Sequence, residues 1–189
     1  QADRMYVGNA ASGIGVVTQT AGTVQANEVK LAVAAGSHGT YNLNGGILKV
    51  TDQTKGLGTG TFSFGGGPLH AVNSFTTSLP MTVESGGATL DTNGNDLILS
   101  QPIQDWATSG GVTKSGDGTL TFSAVNTYHG DTEVRGGTLL VNNSLPNSAV
   151  HVYSGATLGG TGILGVETVI DSGAILSPGN SPGVLTFAS

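Results

Sequence analysis

Apolar and polar residues alternate along this chain in short bursts of three to five residues. Val16-Val17-Thr18, Thr40 to Leu43, Ile47 to Thr51, Thr61 to Phe64, Leu97 to Leu99 and Thr119 to Phe122 are of this kind. Thr132 to Val134, Thr138 to Val141, Ala149 to Tyr153, Glu167 to Ile170 and Val184 to Phe187 continue the series. Each burst is bounded by Gly, Asn, Ser or Pro, the pattern of half-buried strands closed by turns. The one candidate helix is 23–35, the longest stretch near the N-terminus without Gly or Pro. Val29, Leu31 and Val33 recur there at every second residue, so it reads as strand and loop.

The bursts return at a fixed short interval. A Gly-Gly/Ala-x-Leu phrase appears as Gly46-Ile47-Leu48, Gly67-Pro68-Leu69, Gly87-Ala88-Thr89-Leu90, Gly118-Thr119-Leu120 and Gly137-Thr138-Leu139, then as Gly155-Ala156-Thr157-Leu158 and Gly173-Ala174-Ile175-Leu176. Leu48, Leu69 and Leu90 are 21 residues apart, and Leu140, Leu158 and Leu176 are 18 apart. Self-similarity at such a period is the mark of a stacked repeat. Strands this short gain stability when each pairs with its equivalent one repeat earlier and later. The expected fold is therefore all-β, a parallel β-helix (solenoid) of about nine rungs, on the order of 45 Å long. Leu at one place in each rung would stack into an internal ladder, and the neighbouring Gly would form the corner.

Composition agrees with one continuous unit. The 189 residues suffice for a single core, and 32 are Gly while aromatics make up 5%, so the core is built from Val, Leu, Thr and Ala. Hydrophobic residues at 37%, arranged in alternating bursts, argue against disorder. The six basic residues, Arg4, Lys30, Lys49, Lys55, Lys114 and Arg135, are scattered singly in a chain of net charge −6. Nucleic acid and anionic membrane surfaces need clustered cations and are not expected partners. With no Cys, disulfides, thiolate metal sites and a thiol nucleophile are excluded together. No apolar run approaches the roughly 20 residues that span a bilayer, so no membrane insertion by this segment is expected.

Residues 116–141, GDGTLTFSAVNTYHGDTEVRGGTLLV, closely resemble the autotransporter-associated β-strand repeat of bacterial autotransporter passenger regions. The distinguishing elements are Gly118-Thr119-Leu120-Thr121, the Asn126-Thr127-Tyr128 turn, Gly136-Gly137-Thr138-Leu139 and the run from Ser177 to Gly183. The stretch from Gly155 to Phe187 is similar to rungs that often follow that repeat, while 13–103 resembles only looser repeats of large exported proteins. The resemblance implies a right-handed parallel β-helix displayed outside the cell by Gram-negative-type export, a stalk or transport element and not an enzyme. It gives one domain, 1–189, with looser repeats in 1–115 and passenger-type repeats in 116–189. Neither terminus reads as a solenoid cap, so the chain is expected to be a piece of a longer exported polypeptide whose neighbouring domains are its partners.

Several local patterns carry chemistry elsewhere. Gly179-Asn180-Ser181-Pro182-Gly183 fits a nucleophile elbow in spelling, but the residue after Ser must offer an N–H to the oxyanion and Pro182 has none, so a turn is expected. Gly160-Thr161-Gly162-Ile163-Leu164-Gly165 spells a dinucleotide fingerprint without the helix that would hold a phosphate, and reads as a corner. Asp91 to Asp96 resembles the start of a calcium loop but lacks its distal Glu, and reads as an Asn/Asp turn. His129, Asp131, Glu133 and Arg135 alternate with Gly130, Thr132 and Val134, which places them on one strand face. Successive same-face carboxylates about 7 Å apart suit an inverting glycosidase. A solvent face with Val134 turned inward explains the alternation equally and is the reading favoured.

Two aromatic residues are candidate glycan contacts: Trp106, the sole Trp, beside the Gly110-Gly111 corner, and Tyr128 on its turn. An exposed ring can stack on a sugar; the favoured alternative for Trp106 is that it covers an edge of the solenoid. Tyr41, Phe62, Phe64 and Phe122 fall within strand patterns and are expected in the core or a surface ladder. The sequence thus points first to a non-catalytic scaffold or adhesive passenger segment, without cofactor or metal, secreted or on the cell surface. A carbohydrate-binding module comes second, and a polysaccharide lyase or hydrolase fragment third. A polysaccharide or a surface receptor is the expected external partner.

Overall fold

A computed structural model describes residues 2–106, 110–179 and 183–188. Among these the regular structure is all strand, and every pairing of strands is parallel. One sheet runs the length of the molecule through nine strands: Ala2–Val7, Thr23–Leu31, Ile47–Lys55, Pro68–Ala71, Ala88–Asp91, Val112–Ser115, Thr132–Val134, Val150–Val152 and Thr168–Ile170. Nine stacked strands enclose eight steps, so the fold is a parallel β-solenoid of about eight turns, close to the nine rungs expected. At about 4.8 Å per step the stack is roughly 38 Å long.

The turn length shortens along the chain. Ala2 pairs with Ala26 and Val24 with Leu48, a turn of 24 residues. Leu48, Leu69 and Leu90 pair in succession at 21, and Val134, Val152 and Ile170 at 18. The cause is a change of cross-section. The early turns have two long faces, the nine-residue strands of the long sheet and a second sheet of Ile14–Gln19, His38–Leu43, Thr59–Phe64, Met81–Val83 and Ile103–Asp105. After Ile47–Lys55 the long face splits into Pro68–Ala71 and Phe75–Thr77. Phe75–Thr77 founds a third sheet with Asn95–Leu99, Gly118–Phe122, Thr138–Val141, Thr157–Gly160 and Ile175–Pro178. A short sheet of Ser144–Leu145, Ile163–Leu164 and Thr186–Phe187 closes the last turns.

Alternation decides what fills the interior. Leu48, Leu69 and Leu90 form the expected ladder and are fully buried. On the third sheet the column is Phe75, Leu97, Leu120, Leu139 and Leu158. Leu139, not Leu140, stacks on Leu158; Leu140 sits opposite Gly159 and faces outward. The period of 18 read from Leu140 is thus 19 at that step. Tyr41, Phe62, Met81 and Ile103 stack on the second sheet, with the Tyr41 and Phe62 rings parallel and 5.3 Å apart. Phe64 and Phe122 are core as expected. Residues 1–12 were expected to be irregular, yet Ala2–Val7 is a strand, its alternation hidden by polar outward positions. Thr23–Leu31 is strand, as its period predicts.

Corners need glycine where the chain turns close to the next rung. Gly137 has φ 62°, and a Cβ there would lie 2.4 Å from the Gly118 carbonyl oxygen and 2.6 Å from that of Gly116. The Gly160 to Gly165 phrase is likewise a corner between two strands. Asn180, Ser181 and Pro182 lie outside the described residues.

Candidate functional site

The part of the chain with the most specific sequence signature turns most of that signature inward. Lys114 follows Leu90 in the leucine ladder and is fully buried. Its ammonium donates to the carbonyls of Ser115 (3.0 Å), Gly116 (2.6 Å) and Gly136 (2.9 Å), one N–H for each acceptor. Burial lowers its pKa to about 8, and the charges of Asp91 and Asp117 oppose that shift. Sequence reading counted Lys114 only as a scattered cation. Its place 24 residues after Leu90, with Val112 inward two residues before, was the signal available.

The Asn126-Thr127-Tyr128 turn takes the place that a strand of the second sheet holds one turn earlier. Asn126 Oδ1 accepts the Ile103 N–H at 2.8 Å, and the Asn126 N–H donates to Ser144 of the following turn. Tyr128 is fully buried. Its hydroxyl meets Thr132 Oγ1 at 2.6 Å, Thr132 Oγ1 meets Ser148 Oγ at 2.7 Å, and Ser148 donates to the Gly130 carbonyl at 2.7 Å. Because Ser148 has one hydroxyl proton, Thr132 donates to Ser148 and Tyr128 donates to Thr132. Burial raises the Tyr128 pKa. A ring enclosed in this way cannot stack on a sugar, which removes Tyr128 from the candidate glycan contacts.

The alternating segment 129–135 is divided between inside and outside. Thr132 and Val134 are buried; Asp131, Glu133 and Arg135 face outward. Arg135 grips Glu133 through two N–H donors at 3.0 and 3.1 Å, and its guanidinium lies 4.4 Å from the Tyr153 ring centre. His129 turns back to Asp105, with Nδ1 2.6 Å from Oδ2. Asp131, Glu133, Glu167 and His151 line one shallow outer groove of about 210 Å³. Arg135 lowers the Glu133 pKa below the ordinary carboxylate value. A general acid needs the opposite shift. Among the described residues no His, Cys, Asp or Glu group is arranged to hold a metal ion.

Trp106 does not cover an edge of the core. It is 70% exposed, follows the last strand of the second sheet, and donates its backbone N–H to the Val83 carbonyl. The outer face of that sheet carries hydroxyl and amide side chains in register: Thr18 on Asn42, Asn42 on Ser63, Ser63 on Thr82 and Thr82 on Gln104. Beside them Val16, Thr40 and Thr61 form a second column. Between these columns, Glu84 and Trp106 lies an open groove of about 400 Å³. Asn42 donates to Thr18 at 3.3 Å and Ser63 to Glu84 at 2.8 Å. Thr82 Oγ1 is buried without a hydrogen-bond partner.

Residues 112–141 match the family Passenger-associated-transport-repeat. The chain carries an autotransporter-passenger repeat. The match holds Lys114, Asn126, Tyr128 and Thr132, the residues that join this turn to its neighbours. An extracellular serine protease of Serratia marcescens is 41% identical over 76 residues, 40% of this chain and 7% of the relative. The adhesin BmaC autotransporter of Brucella suis biovar 1 is 32% identical over 118 residues, 61% of this chain and 3% of the relative. The passenger-repeat chain therefore spans a small fraction of the curated relatives it matches. No solved structure matches it.

Proposed function

We propose that this passenger-repeat solenoid is a non-catalytic scaffold of a secreted or surface-displayed bacterial protein, a rigid spacer with adhesive use that holds neighbouring parts of the same polypeptide away from the cell. The observation that carries the reading is the inward commitment of the repeat's polar signature. Lys114, Asn126, Tyr128 and Thr132 each bond a neighbouring turn or its corner, so the recurring residues serve stacking. Rung-on-rung pairing of this sort propagates along the chain and yields a stiff rod. The outward carboxylates are compatible with this role, since Glu133 is neutralised by Arg135 and held ionised.

The test pairs shape with chemistry. Small-angle scattering should return a rod about 40 Å long, and the folded protein should leave neutral and acidic polysaccharides and unfolded peptides uncleaved. Turnover of any of these that Glu133→Gln or Asp131→Asn abolishes would overturn the reading.

A further inference from the structure

From the second-sheet groove we infer a further binding site, one that takes an uncharged polysaccharide chain lying along the solenoid axis and stacked on Trp106. The inference stands apart from the scaffold reading, because a spacer needs no organised outer face. Four steps separate Ile14–Gln19 from Ile103–Asp105 in the second sheet, about 19 Å at the spacing of paired strands. Over that length the outward column Thr18, Asn42, Ser63, Thr82 and Gln104 offers only hydroxyls and amides. Each can both donate and accept, as sugar hydroxyls require.

Charge narrows the ligand. Glu84 is the one charged residue lining the groove and no Lys or Arg lines it, so a polyanionic glycan or nucleic acid would meet repulsion without compensation. Backbone geometry disfavours a peptide. Strand addition uses a free sheet edge, whereas this groove crosses inner strands whose backbone is paired on both sides. What remains is a linear ligand rich in hydroxyls with one flat apolar face. Trp106 supplies the complementary surface at one end, an indole 70% exposed at the rim of a polar cleft. Thr82 adds an independent mark: the chain leaves its groove-lining hydroxyl unpartnered, a cost that a sugar hydroxyl meeting it would remove.

Trp106 is the sole Trp, so its fluorescence reports directly on the site. The experiment titrates the folded protein with hexasaccharides of cellulose, laminarin and starch type, and with polygalacturonate as the anionic arm. Calorimetry is run in parallel on the wild type, Trp106→Ala, Thr82→Val and the third-sheet control Thr76→Ala. The expected result is a saturable change of Trp emission with at least one neutral oligosaccharide and none with polygalacturonate. Affinity should fall roughly tenfold in Trp106→Ala, weaken severalfold in Thr82→Val and stay unchanged in Thr76→Ala. Unaltered emission with every neutral oligosaccharide at millimolar concentration would overturn the proposal. So would neutral-glycan binding that survives Trp106→Ala undiminished, or preference for the polyanion.

Discussion

Replacing Lys114 with Met asks whether a buried ammonium inside a leucine ladder holds two turns together or burdens them. The substitution keeps the length and apolar stem of the side chain and removes only the charged head. Ser115 retains the Thr92 N–H as a donor to its carbonyl, whereas the carbonyls of Gly116 and Gly136 lose the bond that Lys114 provides. Two such acceptors left without partners cost about 1–3 kcal/mol each. Against this stands the cost of burying the charge. Lowering the pKa from 10.5 to about 8 corresponds to about 3 kcal/mol of penalty on the charged form. The two effects nearly balance at pH 7, where Lys114→Met should be destabilised by only about 1–2 kcal/mol. They separate as the pH rises. Below pH 8 the lysine is charged in both the folded and the unfolded chain. Between about 8 and 10.5 the unfolded chain binds more protons, so wild-type stability climbs by up to about 1.4 kcal/mol per pH unit. Lys114→Met lacks this climb. Urea unfolding of both proteins at pH 7, 8, 9 and 10 should therefore show a gap that widens with pH. A gap that narrows would mean that Lys114 is held by ion pairing, with its pKa raised, and would refute the reasoning.

The buried tyrosines act in the opposite sense: burial pushes Tyr41 up to about 12 and raises Tyr128, so wild-type stability should turn over and fall above pH 10, as the same titration would record. Thr132→Val should cost more than Tyr128→Phe, about 2–3 against about 1 kcal/mol, because it strands the buried Tyr128 hydroxyl while Tyr128→Phe leaves the Thr132–Ser148 bond intact; thermal and denaturant melts decide this. Gln53→Met should stabilise the fold by about 1–3 kcal/mol, since both polar atoms of the fully buried Gln53 lack partners, and a lower denaturation midpoint would contradict this. Gly137→Ala should destabilise by more than 3 kcal/mol, its Cβ meeting two backbone carbonyls, whereas Gly155→Ala, with φ 83° and nothing within 4 Å, should cost only about 1–2 kcal/mol; paired melts compare them.

The period of the leucines gave away the solenoid because stacking demands equivalent residues at equivalent places. Leu48, Leu69 and Leu90 were legible on this ground. Leu139 was not separable from Leu140, since two adjacent apolar residues leave the parity of the strand open and only the neighbouring turn fixes it. Lys114 escaped for the converse reason. A lone charged residue reads as surface, and its inward place depends on the corner carbonyls that receive it. Tyr128 read as a loop aromatic, yet the turn that carries it is buried by the polar chain through Thr132 and Ser148. The groove beside Trp106 draws residues from five turns up to 90 positions apart. Val16 and Trp106 meet there through register alone, which no local pattern records.

The register of stacked turns is the centre of this account, and a chain without Cys permits a direct test of it. Thr119 and Thr138 are outward partners on adjacent strands of the third sheet, and Leu140 lies two residues further along the same strand. Paired strands stand about 4.8 Å apart, within reach of a disulfide, while an offset of two residues puts the Cα atoms about 8 Å apart, beyond it. Under mild oxidation the double variant Thr119→Cys/Thr138→Cys should cross-link rapidly and completely, and Thr119→Cys/Leu140→Cys should remain reduced. Cross-linking of the offset pair, or of neither pair in a folded protein, would contradict the stacked solenoid described here.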